Sequence, residues 1–471
     1  MKIFNLFTVC TILLMVSCNT AEDIDVPEMP HQQKSRMRVG ANTDFAVSEQ
    51  LLLRYVNSVS PNKAIEDITP IIRNTNDTLA FIVQYTEGWD LISADTRIMP
   101  NLACSEVGVL DSTQYNSNGV GGIFNILNYV EQIKQSSDTT VNTTWKFFQP
   151  NASASAPDNG IAPYADVAGM WIPADTQYVD DGRYVSHLIS THWHQDAPYN
   201  NVCPIVNLGS LYAPTNSYAG CGPIACGQVI YQYLKTNNPH SVVIPANCVM
   251  GAHKHLVYSN FSTSQWTNLT TPGDNLSIYI TYLGQEIMGA EYIPYLTSDL
   301  KLHREVGVTS DACCDALDWA HFQYSQSEDF NWQNIVSSLL SSHPIIVTAN
   351  DASLKNGHVF IIDAINKTDL RAYITYEWRD GYHPTDWELQ TCPGWMFETA
   401  IKPDFKGDGD LYEEEVVLDS NIKIAMNWGH GNSDDNIFYL LRDGSNTIAP
   451  AWTANGITYS IIDRVMYNIR Q

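Results

Sequence analysis

YAGCGPIACGQVIYQYL, residues 218–234, decides the fold of this chain. A Gly-Cys-Gly turn runs into apolar and aromatic positions at Ile224, Ala225, Val229, Ile230, Tyr233 and Leu234, the spacing of one helix face. The pattern predicts a helix with Cys221 at its start. There the thiol meets unpaired backbone N–H groups and the positive end of the helix dipole, and both favour thiolate over thiol. The glycines permit a sharp turn, and Pro223 suits a first turn because it lacks an N–H. A cysteine beside a helix is equally a small apolar core residue, so the reading depends on what stands with it.

Three further segments supply partners. NGHVFIIDAI (356–365) puts His358 at the mouth of an apolar run that reads as a buried strand. A histidine fixed there can take the thiol proton and later protonate a departing amine. AMNWGHGNSDDNIFYLL (425–441) offers Asn427 to hydrogen-bond the far nitrogen of His358, and Trp428 to shield that bond from water. HWHQDAPYN (192–200) offers the Gln195 amide, which beside the Cys221 N–H makes an oxyanion hole. Each segment alone is ordinary turn chemistry. The order Gln, Cys, His, Asn in one chain is the selective feature.

With these stretches in view, the chain resembles the streptopain family of bacterial cysteine peptidases. The resemblance implies an α+β fold: a papain-like two-lobed peptidase domain preceded by a small α+β prodomain. It implies Cys221 as nucleophile, His358 as base and acid, Gln195 as oxyanion donor, and Asn427 and Trp428 on the histidine side. Cys221 and His358 lie 137 positions apart (358 − 221), inside the range of about 130–150 for papain-type enzymes. The chain departs from the family at Gly222, Pro223 and Gly227, where small helix-compatible residues are usual, and at His430, where a second Trp is usual. The long interval between His358 and Asn427 predicts an insertion at about 367–420 that shapes access rather than chemistry.

Residues 40–147 read as a separate unit. LAFIVQY and WDLISAD form a predicted hairpin through a turn containing Gly88. The segment resembles the family's inhibitory prodomain, which occludes the cleft and displaces the catalytic histidine until cut. FQPNASASAPDNGIAPYAD (148–166) has the composition of a linker open to proteolysis, so residues 148–180 are expected to be the activation region and 181–471 the peptidase domain.

MKIFNLFTVCTILLMVSC (1–18) is too short for a membrane span and right for a signal peptide. Its ending resembles a lipobox, with Cys18 as the lipidated residue and 19–39 as a polar tether. The expectation is an exported lipoprotein at a bacterial outer membrane or cell surface, touching membrane only through that lipid, or released after processing; the alternative is an ordinary secretory peptide in which Cys18 is coincidental. A net charge of −26 argues against nucleic-acid partners. The expected partners are protein or peptide substrates and the chain's own prodomain.

No cofactor or metal is expected. His192 and His194, like His253 and His255, lack zinc-site companions, and KPDFKGDGDLYEEE (402–415) lacks EF-hand spacing and reads as a solvated acidic loop. Cys313 and Cys314 read as core or helix residues. The functional reading is a cysteine endopeptidase made as a zymogen. Its rivals are a Cys-His acyl transferase and a non-catalytic surface binder or inhibitor that keeps the peptidase cleft.

Overall fold

The computed structural model describes residues 16–17, 45–73, 77–110, 121–148, 169–206, 215–237, 247–250, 254–257, 274–296, 302–354, 356–380, 411–430, 436–443, 446–448, 452–454 and 457–471. Cys18, the tether at 19–39 and the acidic stretch 402–410 lie outside these residues. Of the expected leader, Val16 and Ser17 pair with Val308 and Gly307. Among the described residues no helix is long and apolar enough to cross a membrane.

The N-terminal unit begins with helix α1 (Glu49–Val59), capped by Ser48, whose side chain accepts the Leu51 N–H. Leu51, Leu52, Tyr55 and Val56 pack with Phe81, Val83, Tyr85, Ile92 and Trp145 in one core. Strands β1 (Ile65–Ile72), β2 (Thr78–Tyr85), β3 (Trp89–Ser93) and β4 (Asn101–Ser105) form an antiparallel meander. The hairpin expected around Gly88 is therefore present as β2 and β3. Helices α2 (Gly121–Gln135) and α3 (Thr143–Phe148) follow.

The rest of the chain is α+β, with a helical lobe against a sheet lobe. The helical lobe holds α4 (Cys221–Asn237), α5 (Asp274–Tyr282), which continues into a π-helical turn at Leu283–Ile287, and α6 (Ser310–Trp319). Ile224, Val229, Ile230, Tyr279, Leu283 and Leu317 meet in its core. Cys313 and Cys314 are buried in α6, as expected.

Setting aside six strands of two to four residues, the strands that follow in chain order are β5 (Gly169–Asp180), β6 (Arg183–Val185), β7 (Glu291–Leu296), β8 (Leu302–Val308), β9 (Gln323–Ser327), β10 (Ile345–Asp351), β11 (Gly357–Asp380), β12 (Leu411–Asn427), β13 (Phe438–Asp443) and β14 (Ile457–Arg470). Helix α7 (Trp332–Leu340) packs on the sheet lobe. Among the described residues, one antiparallel sheet runs β9-β14-β10-β11-β12-β13-β4-β3-β2-β1, with β5 and β6 along β11. Strand β11 separates two cores by its pleat: Val359 and Ile361 join the helical core, while Phe360 and Ile362 join the sheet core.

The junction of the N-terminal unit with the rest is short. Phe438 pairs with Cys104 and Tyr439 with Ala103. The core behind it is shared, because Leu79, Trp89, Leu91 and Leu127 pack with Phe360, Trp428, Tyr439 and Tyr459. Strands β11 and β12 pair from Ile361–Asn427 out to Glu377–Leu411, so the described part of the expected insertion is a long hairpin. Residues 169–180, expected as linker, instead form β5 along Leu370–Asp380. That edge of β11 offers unpaired backbone groups, which a neighbouring strand satisfies.

Candidate active site

Cys221 is the first residue of α4 and is buried at 1% exposure. The glycines beside it are dictated by close approach of β8. Gly220 has φ +92°, and a Cβ there would lie 2.9 Å from Val306 Cγ1. A Cβ on Gly222 would lie 2.4 Å from Val308 Cγ2. The departure at Gly222 thus has a packing cause, and so does Gly227: a Cβ there would meet Trp193 at 3.3 Å and Tyr279 at 3.4 Å. Three other buried thiols, Cys104, Cys313 and Cys314, are shifted toward the protonated form. Burial pushes Cys104 up to about 12 and raises Cys314. Hydrogen-bond contact with Cys226, then burial, raises Cys313.

Gln195 is fully buried, and its backbone carbonyl accepts the Ala219 N–H at 2.9 Å. That bond ties its loop to the turn just before Cys221. Among the described residues, neither its side-chain oxygen nor its nitrogen has a hydrogen-bond partner. An enclosed amide with nothing to bind is costly, about 1–3 kcal/mol, unless another molecule supplies the partner.

His358 opens β11 and is also fully buried. Its ring lies among Phe360 (6.0 Å, 20°), Trp428 (6.4 Å, 24°), His430 (5.5 Å, 15°) and Tyr459 (5.7 Å, 47°). Its Nε2 is 3.1 Å from the Trp428 carbonyl oxygen. A carbonyl only accepts, so Nε2 carries the hydrogen. Burial, then neighbouring His430, hold its pKa well below 6.5, with the Trp428 carbonyl opposing them. The ring is neutral, with its proton on Nε2. His430 is itself lowered to about 3 by burial and by His194. His194 packs edge-on to it at 6.0 Å and accepts the Asp196 N–H at Nδ1. The position expected to hold a second Trp is therefore a neutral imidazole stacked on His358.

Asn427, at the end of β12, faces elsewhere than expected. Its Nδ2 donates to the Thr191 carbonyl at 2.8 Å, and its Oδ1 accepts from Gln228 Nε2 at 3.2 Å and from the Gly429 N–H at 3.2 Å. The bond expected from Asn427 to His358 is made by the next residue's carbonyl, that of Trp428. Among the described residues no hydrogen bond joins Cys221 to His358. The two groups stand on different cores, Cys221 in the helical one and the rings around His358 in the sheet one.

One residue of the site escaped sequence reasoning. Gln228 is fully buried and accepts the Trp193 N–H at 3.0 Å through Oε1. The available signal was its place seven residues after Cys221, two turns along the same helix face, in an otherwise apolar surrounding.

A model of the Peptidase C10 family matches residues 193–383, a stretch that includes Gln195, Cys221 and His358 and stops before Asn427. No curated protein matches the chain. Among solved structures, a variant of the Prevotella intermedia prointerpain A fragment 39–359 is similar at 16% identity and a TM-score of 0.41, over 86% of this chain and 98% of that one.

Proposed function

We propose that this chain is the precursor of a cysteine endopeptidase, with residues 40–147 as its inhibitory prodomain. The observation that carries the reading is Gln195, an enclosed side-chain amide with no partner among the described residues, bonded through its backbone to the turn that presents Cys221. Such an amide fits the developing oxyanion of a substrate carbonyl. The family match over residues 193–383 supports the same chemistry.

In the proposed reaction, the Cys221 proton passes to Nδ1 of His358 and the thiolate attacks the peptide carbonyl. The Gln195 amide and the Cys221 N–H hold the oxyanion. The C–N bond breaks as His358 gives its proton to the amine, leaving a thioester on Cys221. Water then attacks the thioester, with His358 taking and returning a proton, and the acid product leaves. Asn427 acts through the backbone: it ties the 427–429 turn, and the Trp428 carbonyl in that turn sets the His358 tautomer.

The precursor state is the inhibited one. His358 is neutral, unbonded to Cys221, and stacked among rings of the core that the prodomain completes. Cleavage within 145–185 releases that core. Export and lipidation on Cys18 belong to the same reading, since a prodomain suits a peptidase that must cross its own cell before acting.

The test is intact mass over time for residues 19–471 under reducing conditions, beside Cys221→Ala. Loss of mass within 145–185 in the parent alone supports the reading. If neither protein is cut, and casein also survives after removal of the prodomain by an added protease, the reading fails in favour of a non-catalytic binder.

A further inference from the structure

Three alternate residues of one loop are each tied to a different part of the site. The Thr191 carbonyl accepts from Asn427 on the sheet lobe, the Trp193 N–H donates to Gln228 on the nucleophile helix, and the Gln195 carbonyl accepts from Ala219 before Cys221. Gln228 stands at the centre, because its Nε2 also donates to Asn427 Oδ1. Its amide orientation is fixed by groups with a single role. Trp193 N–H can only donate, which assigns Oε1. The Thr191 carbonyl can only accept and the Gly429 N–H can only donate, which together assign both ends of Asn427.

We infer that Gln228 is a positioning residue that locks the oxyanion loop and the Asn427–Gly429 turn to the helix carrying Cys221. The inference rests on the peptidase reading. Gln228 lies roughly 10 Å along the helix from the nucleophile, at 1.5 Å per residue, and so touches neither substrate nor reacting atoms. Its influence reaches Gln195 through two residues of loop. It reaches His358 through Asn427 and the Trp428 carbonyl. A helix, a loop and a strand end are thereby held in one register by a chain of buried hydrogen bonds, and such networks act as a unit.

Two variants separate this from simple packing. Gln228→Met keeps the shape and removes all three side-chain hydrogen bonds, including the longer one from Asn427 Nδ2 to Oε1 at 3.4 Å. Gln228→Glu keeps an acceptor for the Trp193 N–H; ionised it offers Asn427 no donor, but protonated its O–H restores one. In amide hydrogen exchange on the full chain, Gln228→Met should speed exchange of 191–195 and 427–429 by about tenfold, the loss of one hydrogen bond, while α4 stays protected.

In casein hydrolysis by the processed protein, kcat should fall about 100-fold with KM nearly unchanged, as expected for a misplaced site. Gln228→Glu should approach the parent at about pH 5 and lose about tenfold as its carboxylate forms toward about pH 8. Unchanged exchange in both variants overturns the lock. Faster exchange with an unchanged kcat overturns its role in the reaction, and so does a Glu variant whose ratio to parent ignores pH. A parent that hydrolyses nothing overturns the peptidase reading and the role in reaction with it, while exchange still decides whether the lock exists. If Gln228→Met fails to fold, Gln228→Glu carries both measurements.

Discussion

The surroundings of Cys221 and of His358 differ in ownership. Cys221 sits in a core built from α4, α5, α6 and the inner face of β11, all downstream of residue 188. The rings around His358 belong to a core to which Leu79, Trp89, Leu91 and Leu127 of the N-terminal unit also contribute. The core around Cys221 comes from residues after 188 alone, and the core around His358 is shared with the segment proposed to be removed. On the proposed function, a prodomain placed this way would act on the histidine through the shared core.

The largest expected effect comes from the side that the prodomain does not own. Cys221→Ala should lower self-cleavage by about 10⁴-fold or more while α1 and the shared core stay intact by hydrogen exchange. A variant that still cuts itself removes Cys221 from the reaction. Next is Gln195→Ala, expected to lower kcat by about 10²–10³-fold. Its thermal stability should hold, because the enclosed amide has no bond to lose. A stable variant with full activity would leave the enclosed amide unexplained.

Gly122→Val probes the jointly owned side. A Cβ on Gly122 would lie 2.2 Å from Tyr439 Cε1, in the contact between α2 and β13. Overpacking there should destabilise the precursor by about 1–3 kcal/mol and bring self-cleavage forward. If the melting temperature of the precursor falls but processing is not hastened, control through the sheet core is excluded.

The last comparison is a pH slope. His358 and His430 are buried with pKa values below the ordinary 6.5, His430 at about 3. Above 6.5 both folded and unfolded chains hold them neutral. As pH falls below 6.5 the unfolded chain takes protons that the folded chain refuses, so precursor stability declines down to about 3. Each histidine contributes at most about 1.4 kcal/mol per pH unit. Denaturant midpoints measured from pH 7 to 4 should drop, and His430→Phe should flatten the slope. An unchanged slope would mean that His430 accepts protons in place.

Local pattern was legible where local forces decide. The start of α4 at Cys221, the apolar strand after His358, and the hairpin around Gly88 all follow from nearest-neighbour spacing and turn chemistry. What stayed hidden depends on distant partners. Gln228 in an amphipathic helix reads as a solvent position, yet it is enclosed because Trp193 and Asn427, 35 and 199 positions away, consume its polar atoms. Residues 169–180 have linker-like surroundings in sequence and become a strand only because β11 extends far enough to present an edge. Asn427 reads from the sequence as a hydrogen-bond partner for His358, but its amide donates to the Thr191 carbonyl, and the carbonyl one residue on bonds the ring.

The pairing of Cys104 with Phe438 joins residues 334 positions apart (438 − 104). Translation proceeds from the N-terminus, and domains fold in that order. The meander β1–β4 is therefore complete, its outer edge waiting, before Cys221 has been added to the chain. By the time Phe438 and Tyr439 emerge to close the sheet, both halves of the site meet a partner already in place. On the proposed function, the peptidase would assemble against a restraint that has already folded.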